Sequence, residues 1–311
     1  MTIRLNPFLH LFRRCHSTTS TPHQQAMMAR GLPKRAPIEG VRHIIAVGSG
    51  KGICNLFDLF NEIINEACGV GKSSVSVNLA LALSRLNNQV GILDADIFGP
   101  SLPTLLNLRN HKATTTATNL IEPLINFNLK CMSIAFLTKS DGAIVWRGLM
   151  VMQAIEKLLR QVAWSPLDYL IIDLPPGTGD IQLSIAQLVP LSGVIMVTTP
   201  QELALIDVRK AIEMFRLVNV PILGIVENFS TYFCQKCGHE EKIFGENGAQ
   251  LLSNEFHLNI LETLPIDTQF RQACDQGRPI MQQNETILCS KFNNLAKQIN
   301  EQMHKNKTTT T

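Results

Sequence analysis

Short apolar runs alternate with longer stretches of helical period along most of this chain. The runs His43–Val47, Val90–Leu93, Tyr169–Leu174, Val194–Thr198 and Ile222–Val226 are too short and too continuously apolar for surface helices, and they suit buried strands. Between them Ser73–Leu86, Leu149–Val162, Ile181–Leu188, Leu203–Val218 and Thr286–Met303 repeat apolar positions near every 3.6 residues. Strand and helix in alternation imply right-handed crossovers and a mainly parallel sheet covered by helices on both faces, an α/β fold. No internal repeat interrupts the pattern, which predicts one domain over residues 39–303.

The two ends read differently. Residues 1–38 carry Arg4, Arg13, Arg14, Arg30, Lys34 and Arg35 without one acid, and space Ile3, Leu5, Phe8, Leu9, Leu11 and Phe12 among Ser and Thr. That is the composition of a mitochondrial transit peptide, with the matrix as destination; a basic disordered tail is the alternative. Residues 304–311 are expected to form a disordered tail.

Composition narrows the function classes. Hydrophobic residues make up 45% and charged residues 17%, as in ordinary globular proteins, and the net charge of +3 gives no case for a nucleic-acid surface. No run is long and apolar enough for a transmembrane segment. Eight cysteines in 311 residues do not make a disulfide scaffold, and of these only Cys234 and Cys237 stand at chelating spacing.

The chemistry lies in a phosphate-loop pattern cut in two. Gly48-Ser49-Gly50-Lys51-Gly52 is separated by Ile53–Cys68 from Gly69-Val70-Gly71-Lys72-Ser73-Ser74. Joining Gly52 to Gly69 completes G-x-x-x-x-G-K-S, whose backbone N–H groups would cradle phosphates at a helix N-terminus. Gly50, Gly52, Gly69, Val70, Gly71, Lys72, Ser73 and Ser74 are therefore the nucleotide-binding candidates for ATP. Lys72 would reach the β/γ-phosphates and Ser73 would ligate Mg²⁺. Leu170-Ile171-Ile172-Asp173 ends a strand in an acid suited to the Mg²⁺ shell. Gly91-Ile92-Leu93-Asp94-Ala95-Asp96 ends another, with Asp96 placed to orient or deprotonate a water.

These loop halves, with DADIFGPSLP, DLPPGTGD and VENFS, resemble the Mrp-type branch of deviant Walker A P-loop ATPases, nearest its mitochondrial nucleotide-binding-protein-like group. The likeness runs from about Val41 to Met281 and includes Trp146-Arg147-Gly148. It implies a slow ATP hydrolase in which Lys51 reaches phosphates across a dimer interface, with Lys51, Lys72 and Asp96 catalytic and Asn228 on adenine. Phe229 stands where Met is usual and Leu149 where Pro is usual.

Ile53–Cys68 departs from that family. It could leave the loop as a short amphipathic excursion, but Asp58, Glu62 and Glu66 would bring negative charge toward a triphosphate. Removing it restores the motif without a residue missing, as a retained intron or a displaced exon boundary would.

Cys234-Gln235-Lys236-Cys237-Gly238-His239 offers two thiolates to one soft metal. Spacing alone favours zinc, with His239, Cys274 or Cys289 as conceivable further donors. The resemblance implies instead a [4Fe–4S] cluster bridging a homodimer through Cys234 and Cys237 of each copy, passed to iron–sulfur acceptor apoproteins such as subunits of respiratory complex I. Two other functions stay open: a ParA/MinD-like positioning ATPase, and a non-hydrolysing metal-binding module if the inserted segment blocks ATP.

Overall fold

The computed structural model describes residues 35–50, 69–138, 148–177, 179–283 and 285–308. Seven strands run parallel in the order β4 (Leu129–Ser133), β2 (Val90–Asp94), β5 (Leu167–Asp173), β1 (Val41–Ser49), β6 (Gly193–Thr198), β7 (Ile222–Phe233) and β9 (Ile260–Ile266). Two short antiparallel additions complete the sheet: β3 (Leu124–Asn126) on β4 and β8 (Glu240–Glu241) on the end of β7.

Burial explains why the central strands are nearly uniform in side-chain type. Ile45, Ala46 and Val47 of β1 and Leu170, Ile171 and Ile172 of β5 have no solvent exposure. A strand covered on both faces has no polar side to show. One helical layer comprises α1 (Lys72–Arg85), α2 (Leu102–Leu105), α7 (Thr268–Asp275) and α8 (Ile287–Thr308). The other comprises α3 (Gly148–Arg160), α4 (Asp180–Leu188), α5 (Glu202–Leu217) and α6 (Gly248–Phe256). The mainly parallel sheet and α/β class expected from the sequence are thus found.

Several bounds differ from the sequence pattern. The strand expected over Ile222–Val226 continues through Glu227, Asn228 and on to Phe233. Glu227 and Asn228 end the apolar run while still buried, each with a hydrogen-bond partner, and exposure begins only at Phe229. The last helix, expected to stop at Met303, runs to Thr308, with Glu301 and Lys305 at the i,i+4 spacing that supports an exposed helix.

Residues 35–38, assigned by composition to the basic leader, are tied to the folded body. Ala36 N–H donates to Leu188 O at 3.1 Å, Arg160 donates to Ala36 O and Pro37 O at 2.8 Å each, and Ile38 is buried. A leader ending at residue 38 would remove these contacts. Residues 1–34, the inserted segment Ile53–Cys68 and residues 309–311 lie outside the described residues.

Candidate functional site

Parallel strands bring their carboxyl ends to one edge, and the candidate residues collect there. β1 ends at Ser49 before the first loop half, β2 ends at Asp94, and β5 ends at Asp173. In register, Asp173 stands opposite Val47 on one side and Asp94 on the other. The second loop half opens α1, where Gly71 takes the left-handed conformation with φ 80°.

Asp173 organises the site. It is fully buried and accepts hydrogen bonds at both oxygens. Lys72 Nζ donates to Oδ1 at 2.6 Å, Ser76 Oγ to Oδ1 at 2.7 Å, and Ser73 Oγ to Oδ2 at 2.5 Å. A buried carboxylate is tolerated only with such partners. The donor set also fits Mg²⁺, a hard cation that takes oxygen ligands, because Ser73 Oγ and an Asp173 oxygen are already side by side.

Asp94 supports the loop that carries Asp96. It accepts from Asp96 N at 3.1 Å, Ser101 N at 2.9 Å and Leu102 N at 3.2 Å. Burial, and next the charge of Asp173, push its carboxyl up to about 7. Asp96 is half-buried and accepts from Gly99 N at 3.2 Å. The sequence pattern pointed to Asp96 and passed over Asp94, whose role depends on three backbone N–H groups gathered by the fold.

The other loop residues are placed as follows. Gly50 meets α5 so closely that a Cβ would lie 2.6 Å from Asp207 Cβ and 2.9 Å from Ala204 O. Gly69 is exposed and Val70 buried. Ser74 is half-buried, and Cys274 Sγ donates to its Oγ at 3.5 Å. Asn228 is buried and donates to Val70 O at 2.9 Å, which sets β7 against the phosphate loop. Phe229, also left-handed at φ 56°, sets its ring tilted against that of Phe244, with centroids 5.9 Å apart. Lys51 and Gly52 lie outside the described residues.

The thiol pair belongs to the same strand. β7 ends at Phe233, residues 234–239 turn, and β8 pairs back on Tyr232 and Phe233. Gly238 N–H donates to Cys234 O at 2.8 Å and Cys234 N–H to His239 O at 2.9 Å, with Gly238 left-handed at φ 71°. Gln235 Nε2 donates to Thr268 Oγ1 at 2.8 Å, mooring the turn to α7.

The Cys234 thiol is drawn below its ordinary value, first by the backbone N–H of Cys237, then by that of Lys236. Buried Cys131 and half-buried Cys274 behave oppositely: burial pushes Cys131 up to about 12 and raises Cys274. Cys289 is buried and donates to Ile280 O at 3.2 Å. Among the described residues no three His, Cys, Asp or Glu gather as a metal group, so Cys274 and Cys289 do not complete a site with the turn.

Comparison with known proteins finds a matching family, curated relatives and solved structures of the same fold. Residues 40–300 match the ParA family described as NUBPL iron-transfer P-loop NTPase. The chain is 49% identical over 257 residues to the iron-sulfur cluster transfer protein NUBPL of Mus musculus, covering 82% of this chain and 75% of that one. It is 44% identical over 283 residues to the iron-sulfur cluster carrier protein of Escherichia coli K12, covering 91% and 72%. Among solved structures, the nucleotide-binding protein of Archaeoglobus fulgidus in complex with ADP aligns with a TM-score of 0.65 at 36% identity, covering 79% of this chain and 90% of that one. The cell division ATPase MinD of Pyrococcus furiosus aligns with a TM-score of 0.59 at 20% identity over 83% and 98%, a likeness of fold alone.

Gly71 gives a test of the loop geometry. A Cβ there would lie 2.2 Å from Asn228 Nδ2, in a conformation that costs a non-glycine residue roughly 1–2 kcal/mol. Gly71→Ala should therefore weaken binding of a fluorescent ATP analogue by about tenfold or more, read by titration. Unchanged affinity would mean that this loop does not receive phosphate.

Proposed function

This chain belongs to the NUBPL iron-transfer P-loop NTPases of the ParA family, and on that premise we propose that it is an ATP-dependent carrier of a [4Fe–4S] cluster. The observation that carries the reading is the course of β7. Asn228 on this strand holds the phosphate loop, and Cys234 follows directly after its end, roughly 20 Å further along an extended chain. One element therefore touches both the nucleotide and the cargo.

The thiol pair supports a shared cluster. Cys237 is exposed and Cys234 half-buried, so both can meet a partner. Two thiolates leave half of a four-thiolate cluster site unfilled, and a second copy of the chain supplies the other half. The cluster is cargo, held at an exposed turn from which an acceptor apoprotein can take it. Subunits of respiratory complex I are the proposed acceptors. The acid-free basic segment at the start of the chain supports delivery in the mitochondrial matrix.

At the nucleotide, Lys72 would leave Asp173 for the β/γ-phosphates, with Lys51 of the second copy as the other lysine. Ser73 and Asp173 would hold Mg²⁺, which when bound spreads the charge of the β- and γ-phosphates. Asp96, on the loop ordered by Asp94, would orient the hydrolytic water, and Asn228 would face adenine. Binding and hydrolysis would alter how two copies meet and so how firmly four thiolates keep the cluster.

Two measurements check this reading. Cys234→Ala should abolish the cluster absorbance of the reconstituted protein while nucleotide affinity stays within about twofold, because the turn lies outside the phosphate loop. Loss of both together would point to a structural metal. ATP-analogue titration of the full chain and of the chain lacking Ile53–Cys68 tests the inserted segment: the proposal requires the full chain to bind, and binding by the shortened chain alone would mean that the segment blocks the loop. Equal binding would make the segment an accommodated excursion from the loop.

A further inference from the structure

Ser76 lies outside the phosphate-loop pattern, wholly buried one turn into α1. Its hydroxyl stands 2.7 Å from Asp173 Oδ1 and 3.0 Å from Lys72 O. A serine within a helix commonly returns its proton to the carbonyl four residues back. Here a charged carboxylate oxygen is nearer than that carbonyl, and charge makes it the stronger acceptor.

The three donors on Asp173 differ in their freedom. Lys72 and Ser73 are the groups that phosphate and Mg²⁺ would draw away. Lys72 has a long flexible stem, and its Nζ shares Oδ1 with Ser76 at 2.6 Å. Ser76 has a short side chain, no exposure, and a helix packed against β1, β2 and β5. Its other acceptor is Lys72 O, a carbonyl of the same helix, so the hydroxyl stays beside Asp173 when the lysine side chain leaves.

We infer that Ser76 is a positioning residue that keeps Asp173 Oδ1 hydrogen-bonded when Lys72 departs for the nucleotide. This deepens the nucleotide reading above and rests on it. Without Ser76, releasing the lysine would strand a buried carboxylate oxygen with no donor, so the lysine would stay on Asp173 and the phosphates would bind less tightly. Ser76 lets the loop exchange one partner of Asp173 without exposing the carboxylate to an apolar surround.

Thermal melting of the full chain tests this without nucleotide, with Lys72→Met standing for the departed lysine. Wild type, Lys72→Met, Ser76→Ala and the double variant form a cycle. The double variant should lose more melting temperature than the two single losses combined, because only there does Oδ1 lack every donor. Additive losses would overturn the proposal.

Titration with a fluorescent ATP analogue gives the second readout. Ser76→Ala should weaken affinity about tenfold, the scale of one hydrogen bond to a charged group, while Ser76→Thr, which keeps the hydroxyl, stays near wild type. Equal affinity in Ser76→Ala and wild type would overturn the proposal. A wild-type chain that binds no analogue would instead overturn the nucleotide reading, and the melting cycle would still decide the role of Ser76.

Discussion

A carboxylate without any exposure at the end of the second central strand sets the terms for this protein. Asp173 can be buried because Lys72, Ser73 and Ser76 direct their donors at it. Removing a partner from such a buried ion costs about 3–5 kcal/mol, so the end of β5 and the start of α1 are bound to each other whether or not phosphate is present. The same constraint fixes the neighbouring acid. Burial, and next the charge of Asp173, push Asp94 up to about 7, and three backbone N–H groups of the following loop hold it. The position of Asp96 follows from that arrangement.

β7 extends this order outward to the thiol turn. Its first half is clamped between β6 and β9 in the covered sheet, and Glu227 accepts from Ala249 N at the start of α6 at 2.8 Å. Its second half runs out beyond the helices and ends in the thiol turn. The outer half stays paired at Tyr232, with Ile266 of β9 and Glu241 of β8, and Asn228 sits where the two halves meet. The lowered Cys234 thiol also follows from backbone geometry: a turn whose N–H groups point at sulfur favours the thiolate that soft metals require.

Much of this was legible in the sequence, for reasons that are local. The central strands announced themselves as uninterrupted apolar runs because both of their faces are buried. Lys72, Ser73, Asp173 and Asn228 could be named because each stands in a short motif at the end of such a run. Asp94 and Ser76 could not. Their roles come from hydrogen bonds that only the folded chain assembles, although Ser76 stands three residues after Ser73, on the same face of α1. The outer half of β7 is hidden from the apolar pattern because the buried polar pair Glu227 and Asn228 ends the run before burial stops. Composition does not show that Arg160 and Leu188 hold the backbone of Ala36 and Pro37, because those contacts join segments distant in the chain.

The central claim is that nucleotide and cluster communicate through one strand. The direct measurement is the rate at which cluster-loaded full-length protein gives up its cluster to an apo-ferredoxin, followed by visible absorbance, with and without a non-hydrolysable ATP analogue. The account predicts a rate that changes when the analogue binds, and a change that disappears in Asn228→Ala while cluster loading persists. An identical rate with the analogue bound would contradict it, leaving two independent sites on one fold.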